Sequence, residues 1–336
     1  VGISHHFKEL VMNENILKLV NLASPKLGTK IIAFSDDFFG DVSRMLNDKE
    51  PVFIEDKYDD HGKWMDGWES RRKRTEGNDW CIIKLGSPGK ISEIEIDTAY
   101  FTGNFPPYAS LEGIYSSENP NFDDNWISIL KKSELKGDHS QKFEVESEIV
   151  NYVRFQIFPD GGVARLRLNG EVIYNFDINK KIDYELSSLN LGGKIITYNN
   201  AHYGDVSALL SNGRGKTMGD GWETRRRRTP GNDWIIIKLA HIGIINKIEI
   251  DTAHFKGNYP DRASVQCALV KDKMTDDEII DISSNWTEIL SSQKLEADKI
   301  HTYLDLNQCG PVNYVKLNIY PDGGVSRLRV FGDLSS

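Results

Sequence analysis

The sequence predicts an all-β protein made of two tandem β-sandwich domains that arose by internal duplication. Two halves of the chain repeat long motifs in the same order, apolar residues alternate with polar ones over short stretches, and helical patterns are scarce. The 336 residues are long for one domain, and each half is long enough to bury a core of its own.

The duplication defines the predicted domains. The matching stretches are 66–85 with 220–239 (16 of 20 identical), 97–110 with 251–264 (9 of 14), 151–170 with 313–332 (13 of 20), and a weaker opening pair, 30–46 with 194–210. Units of roughly 160 residues are too long for solenoid repeats and are read as duplicated domains. The predicted organisation is an N-terminal segment, 1–25, a first repeat, 26–175, and a second repeat, 176–336.

Period-two alternation predicts strands within each repeat. Val153, Phe155 and Ile157 alternate with polar residues, and the same pattern recurs at 315–319 in the second repeat. Such short alternating runs favour half-buried antiparallel strands, roughly eight per repeat in a jelly-roll-like arrangement, although the pattern does not separate a jelly roll from another sandwich topology. Helical patterns are confined mainly to 13–23 and 273–281.

Composition excludes several classes of function. A net charge of −9, from 41 basic and 50 acidic residues, disfavours general binding to nucleic acid or to an anionic membrane. No apolar run approaches the roughly 18 residues of a membrane span, and no signal peptide is recognisable. Three cysteines cannot form a disulfide framework or a cysteine-based zinc site, and indicate a reducing compartment. We therefore expect a cytoplasmic protein.

Motifs for metal, nucleotide and nucleophilic chemistry are absent from the sequence. It contains no HExxH or CxxC pattern, no Asp-His-rich cluster, no GxSxG elbow and no P-loop. We therefore expect neither a metal nor a cofactor.

The first motif places several cations between a turn and an apolar strand. Arg71, Arg72 and Arg74 have arginine counterparts at 225, 226 and 228, whereas Lys73 corresponds to Arg227. Positions that keep arginine suit a bidentate grip on a carboxylate, while a position that accepts either cation is expected to serve solubility. In an extended segment, Arg72 and Arg74 share one face, and Arg71 and Lys73 share the other.

Two other interpretations of these cations remain open. The arginines can form a structural ion-pair network with Asp66, Glu69 and Asp79, or they can be a targeting or nucleic-acid-binding patch. The structural interpretation predicts that Arg72→Ala lowers thermal stability without a separable effect on binding.

The second and third motifs add carboxylates and turns. Asp97 and Asp251 end alternating strands before Gly-Asn turns, where a carboxylate can accept from N–H groups, act as a general base, or cap an Asx turn. The Pro-Asp-Gly-Gly sequences at 159–162 and 321–324 predict tight turns. If the three motifs lie at one end of the sandwich, they form a polar pocket for a small anion.

One of the differences between the copies in the second motif bears on function. Tyr100 in the first repeat corresponds to His254 in the second. Either the position is peripheral, or only one copy is active.

These motifs resemble those of the allantoicase family. The patterns DGWE-[ST]-RR-x-R-x-x-GNDW, DTA-x-F-x-GN and PDGGV-x-R-x-R each occur twice, and the similarity extends from about Leu27 to Gly332. The resemblance implies tandem jelly-roll domains related to galactose-binding-like sandwiches. It also implies hydrolysis of allantoate to ureidoglycolate and urea in allantoin degradation, for nitrogen utilisation.

The substrate that the resemblance implies assigns roles to the charged residues. Allantoate is a carboxylate whose α-carbon bears two ureido groups, so guanidinium groups can hold its anionic end while carboxylates accept from its N–H groups. The expected acid–base residues, as carboxylate pairs with pKa values pushed apart, are Glu69 with Asp97 and Glu223 with Asp251. The expected substrate-binding residues are Asp66, Trp68, Arg71, Arg72, Arg74, Asn104, Asp160, Arg165, Asp220, Trp222, Arg225, Arg226, Arg228, His254, Asn258, Asp322 and Arg327.

The alternative function is a non-catalytic tandem sandwich that binds carbohydrate or a small anion, because one fold serves many functions. Trp68 and Trp222 would then be stacking platforms. For an enzyme of this size we also expect a homo-oligomer.

Overall fold

The computed structural model describes residues 19–180, 182–270 and 274–335. The chain divides into two compact units, the first ending at Tyr174 and the second beginning at Asn175. Within the described residues, no helix has both the length and the apolar character needed to cross a membrane.

The first unit is built almost entirely of antiparallel strands. They are β1 (Val20–Asn21), β2 (Lys30–Phe34), β3 (Tyr58–Asp59), β4 (Gly62–Lys63), β5 (Trp68–Glu69), β6 (Asp79–Asp97), β7 (Tyr108–Ile114), β8 (Ile127–Glu134), β9 (Ser140–Glu144), β10 (Val150–Phe158), β11 (Gly162–Val163) and β12 (Arg165–Val172). Short 3-10 helices cover Pro25–Leu27 and Val42–Leu46.

The long strand β6 belongs to both sheets of the sandwich. Its first part pairs with β2 and β10, and its last part pairs with β9 and β12. The pairing with β10 shifts register near Gly89, where the strand passes between the sheets. Pairing of β7 with β10 and β8, and of β1 with β12, completes the two layers.

The second unit repeats this topology and adds one helix. Its elements are β13 (Tyr184–Glu185), β14 (Lys194–Tyr198), β15 (Trp222–Glu223), β16 (Asp233–Asp251), β17 (Arg262–Ala268), α1 (Asp276–Ser283), β18 (Thr287–Lys294), β19 (Ile300–Tyr303), β20 (Val312–Tyr320), β21 (Gly324–Val325) and β22 (Arg327–Leu334), with 3-10 helices at Leu189–Leu191 and Val206–Leu210. The strand β16 takes the place of β6, pairing with β14 and β20 first and with β19 and β22 afterwards.

The predicted alternation is confirmed in β10. Val153, Phe155 and Ile157 are fully buried, whereas Arg154 and Gln156 keep part of their surface exposed. In β20 the polar face is also buried: Lys316 and Asn318 are only 9% and 6% exposed. The reason for Lys316 is the neighbourhood of α1, whose Ser283 hydroxyl oxygen lies 3.0 Å from the Lys316 Nζ.

The two helix predictions have different outcomes. Of the helix predicted at 273–281, residue 273 lies outside the described residues, and the rest is confirmed as α1, which begins after Thr275 with a reciprocal capping box to Glu278. Of the helix predicted at 13–23, residues 13–18 lie outside the described residues. The described part is wrong: Val20–Asn21 form β1, because pairing with β12 satisfies their backbone groups better than an isolated helical turn. The segment predicted at 1–25 therefore contributes a strand to the first sandwich.

Candidate functional site

The three repeated motifs meet at one end of each sandwich. In the second repeat β15 pairs with β21, with Glu223 opposite Gly324. The Gly324 N–H in turn donates to the Asn258 carbonyl oxygen at 2.8 Å. The first repeat has the same contacts, with Glu69 opposite Gly162 and the Gly162 N–H 2.7 Å from the Asn104 carbonyl oxygen. The sequence predicts a polar pocket if the three motifs lie at one end of the sandwich, and this condition is met.

The Pro-Asp-Gly-Gly turn requires glycine because the chain segments approach so closely. Gly323 has φ +140°, and a Cβ there would lie 2.7 Å from the Pro260 nitrogen. A Cβ on Gly324 would lie 2.1 Å from the Phe255 ring. The turn thus holds the second and third motifs in contact.

A pocket of about 960 Å³ opens at this end of the second repeat. It is lined by His202, Tyr203, Glu223, Thr224, Arg225, Arg226, Arg227, Arg228, Gly257, Asn258, Tyr259, Asp261, Pro321, Asp322 and Gly323. Six of these, Glu223, Arg225, Arg226, Arg228, Asn258 and Asp322, are residues that the sequence predicted for the site.

The basic segment alternates between paired and unpaired cations. Arg71 forms an ion pair with Asp36, with Nε 2.7 Å from Oδ2, and Lys73 pairs with the buried Asp79 at 2.8 Å. Arg72 and Arg74 are exposed, and neither makes a hydrogen bond or ion pair within the described part of the chain. Arg226 and Arg228 are likewise exposed and unpaired, and both line the pocket.

The position that accepts lysine or arginine has a structural role, so the solubility interpretation is wrong. The Lys73 Nζ and the Arg227 Nη2 each contact a carboxylate only 1% exposed, that of Asp79 or Asp233, at 2.8 and 2.7 Å. Because a single charged contact is made, either cation neutralises the buried carboxylate.

The glutamates of the first motif are held by the asparagines of the second. The Asn104 Nδ2 donates to the Glu69 Oε1 at 2.6 Å, and the Asn258 Nδ2 donates to the Glu223 Oε1 at 2.5 Å. Burial raises the pKa of Glu69 above its ordinary value, while the Asn104 hydrogen bond lowers it in part. In each copy the other carboxylate oxygen, Oε2, has no hydrogen-bond partner among the described residues.

Asp97 and Asp251 are buried caps of the turn that follows their strand. The Asp97 Oδ1 accepts from the Ala99 N–H and the Asp251 Oδ1 from the Ala253 N–H, both at 2.8 Å. Burial raises the pKa of Asp97, which is the same direction as for Glu69. In the first repeat, burial therefore shifts the pKa values of both carboxyl groups of the predicted pair upward. Asp251 is not among the residues that line the pocket.

The arginines that follow the third motif are interior residues. Arg165 and Arg327 are 0% and 2% exposed, and each forms an ion pair with the aspartate that opens the first motif, Asp66 or Asp220. Their remaining N–H groups donate to main-chain carbonyl oxygens, including that of Ala164 for Arg165. Arg165 and Arg327 therefore belong to a structural ion-pair network, and their buried guanidinium groups are not available to bind substrate.

The predicted tryptophans are also interior residues. Trp68 and Trp222 have no exposed surface, and their indole N–H groups donate at 2.8 Å to the carbonyl oxygens of Asp36 and Asn200. A stacking platform needs an exposed ring face, so these residues cannot bind a ligand in the way predicted.

The turn aspartates position the basic segment. The Asp160 Oδ2 accepts from the Lys73 N–H, and the Asp322 Oδ2 accepts from the Arg227 N–H, both at 2.7 Å. Asp322 reaches the pocket lining while its carboxylate holds the backbone of the arginine segment.

The position occupied by Tyr100 in the first repeat and His254 in the second is peripheral to the pocket. Tyr100 and His254 both have a left-handed backbone, with φ of 68° and 69°. The His254 Nε2 lies 2.7 Å from the Gly215 carbonyl oxygen, and His254 does not line the pocket.

Sequence reasoning missed His202 and Tyr203. In the second repeat the Arg225 Nε donates to the His202 Nδ1 at 2.8 Å, and the ring centroids of His202 and Tyr203 are 4.1 Å apart. The aligned residues of the first repeat are Phe38 and Phe39. The signal was present in the weak opening pair, 30–46 with 194–210, where the copies differ most.

The pocket carries no recognisable metal centre. Within the described ranges, no group of three or more His, Cys, Asp or Glu side chains is placed to hold a metal ion. The three cysteines are free, and Cys81 and Cys267 are buried with thiol pKa values raised by that burial.

Comparison with known proteins decides the family. The allantoicase repeat matches residues 20–173 and 184–335, which is most of the chain. The chain belongs to the allantoicase family. The resemblance that the motifs predicted is thereby confirmed, together with the all-β duplicated fold.

Close relatives cover almost the whole chain. A probable allantoicase 1 from Burkholderia mallei is 49% identical over 321 residues, covering 94% of this chain and 95% of that protein. A probable allantoicase from Photobacterium profundum is 48% identical over 324 residues, covering 95% and 97%. The crystal structure of allantoicase from Saccharomyces cerevisiae is similar with a TM-score of 0.80, at 34% identity, covering 94% of this chain and 93% of that one.

Proposed function

We propose that this allantoicase-family chain hydrolyses allantoate to ureidoglycolate and urea, a step of purine degradation, and that the pocket of the second repeat binds the substrate. The observation that carries the assignment is that Arg226 and Arg228, which have no partner in the part of the chain that the structure describes, line one cavity with Glu223. The first repeat offers the corresponding set in Arg72, Arg74 and Glu69.

The unpaired arginines bind the carboxylate of the substrate. A charge-assisted hydrogen bond of this kind contributes about 1.5–3 kcal/mol, and the forked guanidinium also fixes the orientation of the carboxylate. Because Arg226 and Arg228 have no carboxylate partner among the described residues, binding an anion there breaks no ion pair that the structure describes.

Glu223 moves protons between the two ureido groups. Its carboxylate takes a proton from the N–H of the ureido group that stays, and that nitrogen forms a C=N bond to the α-carbon. The bond from the α-carbon to the other ureido nitrogen breaks, and this nitrogen takes the proton from the Glu223 carboxyl group, so urea leaves. Water then adds to the α-carbon; it loses one proton while the C=N nitrogen gains one, which gives ureidoglycolate.

The environment of Glu69 supports the same role for this position of the motif. A carboxyl group whose pKa is raised by burial accepts a proton more readily near neutral pH. The asparagine contact occupies one oxygen in both copies, and the other oxygen has no partner among the described residues.

The test is urea release by Glu69→Gln, Glu223→Gln and the double variant. Glutamine keeps the asparagine hydrogen bond but cannot accept a proton, so we expect the double variant to lose about 10²–10⁴-fold in kcat. Asp97→Asn with Asp251→Asn is the comparison, since these carboxylates cap turns. Wild-type kcat in the glutamate double variant would remove these residues from the mechanism.

Two broader predictions remain part of this proposal. The cytoplasm is proposed as the location, and the free state of all three cysteines supports it. A homo-oligomer is proposed as the assembly, which light scattering of the purified protein can check.

A further inference from the structure

The two repeats differ at the group that contacts the first arginine of the basic segment. In the first repeat the Asp36 carboxylate accepts from the Arg71 side chain and main chain. In the second repeat Asn200 takes the main-chain contact alone, and the Arg225 side chain donates to the His202 Nδ1 at 2.8 Å.

The contact with Arg225 fixes the tautomer of His202. A guanidinium group has only donors, so the His202 Nδ1 must be an acceptor, and the ring proton is on Nε2. His202 lines the pocket, is exposed, and its Nε2 has no partner among the described residues. The pocket therefore contains an N–H donor that no protein group uses.

The main chain of His202 lies beside that of Glu223. The His202 N–H donates to the Glu223 carbonyl oxygen at 2.9 Å, and Tyr203 forms an isolated bridge to Glu223. A ligand that contacts the Glu223 carboxylate thus lies within the same cavity as the imidazole.

We propose that His202 is a catalytic hydrogen-bond donor of the second repeat, which donates from Nε2 to the carbonyl oxygen of the departing ureido group. This inference rests on the proposed function of the same pocket. As the bond to the α-carbon breaks, negative charge develops on the departing ureido group before its nitrogen is protonated. A donor already aimed at that oxygen stabilises the transition state more than the ground state.

The first repeat cannot supply this donor in the same way. Phe38 occupies the aligned position, and the Arg71 guanidinium lies 5.0 Å from the centre of its ring. A different histidine, His61, contacts the Phe38 carbonyl oxygen through Nδ1 at 2.9 Å. That nitrogen can only donate to a carbonyl, so the neutral His61 ring has an acceptor at Nε2, the opposite polarity to His202. The inference therefore makes the second repeat the faster catalytic copy.

The experiment compares His202→Phe with His202→Gln in steady-state assays of urea release. We expect His202→Phe, which installs the first-repeat residue, to lose about 100-fold in kcat with a much smaller change in KM. His202→Gln keeps an N–H donor and is expected to recover about tenfold of that loss. The melting temperature of each variant verifies folding.

Two further variants separate a donor role from simple packing. Phe38→Ala removes the aligned ring of the first repeat and is expected to leave kcat within about twofold of wild type. Asn200→Asp installs the first-repeat carboxylate, which draws the Arg225 guanidinium from His202 and is expected to lower kcat without unfolding the protein.

The outcomes distinguish this inference from the proposed function. If Glu223→Gln is slow while His202→Phe keeps wild-type kcat, the pocket is correct and the role of His202 is wrong. Equal losses in His202→Phe and His202→Gln, or an equal loss in Phe38→Ala, also overturn it. If the double glutamate variant itself keeps wild-type kcat, the failure lies in the proposed function.

Discussion

Arg72 and Arg165 are both arginines of the repeated motifs, yet their surroundings give them opposite roles. Arg72 is exposed and unpaired in the described residues, whereas Arg165 has no exposed surface and donates to Asp66 and three carbonyl oxygens. A charged group without protein partners is available to a ligand, while a buried one belongs to the fold.

The two arginines should therefore respond differently to alanine. Arg165→Ala removes the ion-pair partner of Asp66 and leaves that carboxylate with the Val52 N–H alone, so we expect about 3–5 kcal/mol loss in unfolding free energy. Arg72→Ala should change stability by no more than about 0.5 kcal/mol while weakening substrate binding. Urea denaturation measures the stability of both variants, and calorimetric titration with a substrate analogue measures binding by Arg72→Ala. A large destabilisation by Arg72→Ala would favour the scaffold interpretation.

At the scale of elements, the tight turn between β20 and β21 connects the parts of the second-repeat site. It carries Asp322, which anchors the arginine segment, and Gly324, which is bonded to the Asn258 carbonyl oxygen. The strong turn pattern in the sequence predicted this element correctly. What it did not predict is that the turn lies against the loop of the second motif.

Gly323→Ala should disturb the site by shifting this turn. The new Cβ would lie 2.7 Å from the Pro260 nitrogen, and φ of +140° disfavours alanine, so the turn must shift. We expect a lower melting temperature together with a lower kcat. Gly219→Ala is the matched control, since Gly219 does not line the pocket and a Cβ there meets only the Thr217 Oγ1, at 3.7 Å. If both variants behave like wild type, the turn does not support the pocket.

The element predictions that failed did so through long-range pairing. The apolar pattern at 13–23 is typical of a helix, but Val20 and Asn21 pair with β12, whose residues lie far away in the sequence. The alternation in β20 predicts a half-buried strand, but its Lys316 is buried because α1 lies next to it. Local periodicity predicts the conformation of a segment but not the distant residues that contact it after folding.

At the scale of the whole molecule, the duplication creates two sites with the same anion-binding part. Arg72 and Arg74 in one repeat, and Arg226 and Arg228 in the other, are unpaired within the described residues. The surroundings differ, because Asp36 neutralises Arg71 in the first repeat and the neutral Asn200 takes its place in the second. We therefore expect each repeat to bind one substrate molecule, and we expect the two repeats to differ in catalytic rate.

The number of sites can be counted with N-carbamoylglycine, which has one carboxylate and one ureido group and no second ureido group to lose. Calorimetric titration of the wild-type chain should give two bound molecules, because each repeat has a guanidinium pair without a partner among the described residues. Arg72→Ala with Arg74→Ala should leave one, and so should Arg226→Ala with Arg228→Ala. If the wild-type chain binds only one molecule, and that site survives Arg72→Ala with Arg74→Ala, binding is confined to the second repeat.

Much of the site was predictable because its motifs are long and occur twice. Glu69, Glu223 and the asparagines that hold them were named from sequence, and the structure brings each pair into contact. His202 was not predicted, because only its contact with Arg225 distinguishes it from a surface histidine.

The sequence by itself determined the duplication, the strands and the family, since repeated identity and period-two alternation are written in chain order. Only the tertiary structure decided which charges serve the fold and which face the pocket. Arg71 meets Asp36 across 35 positions, and Arg165 meets Asp66 across 99. The free energy of a charged side chain depends on partners that folding brings from such distances, and no local pattern records them.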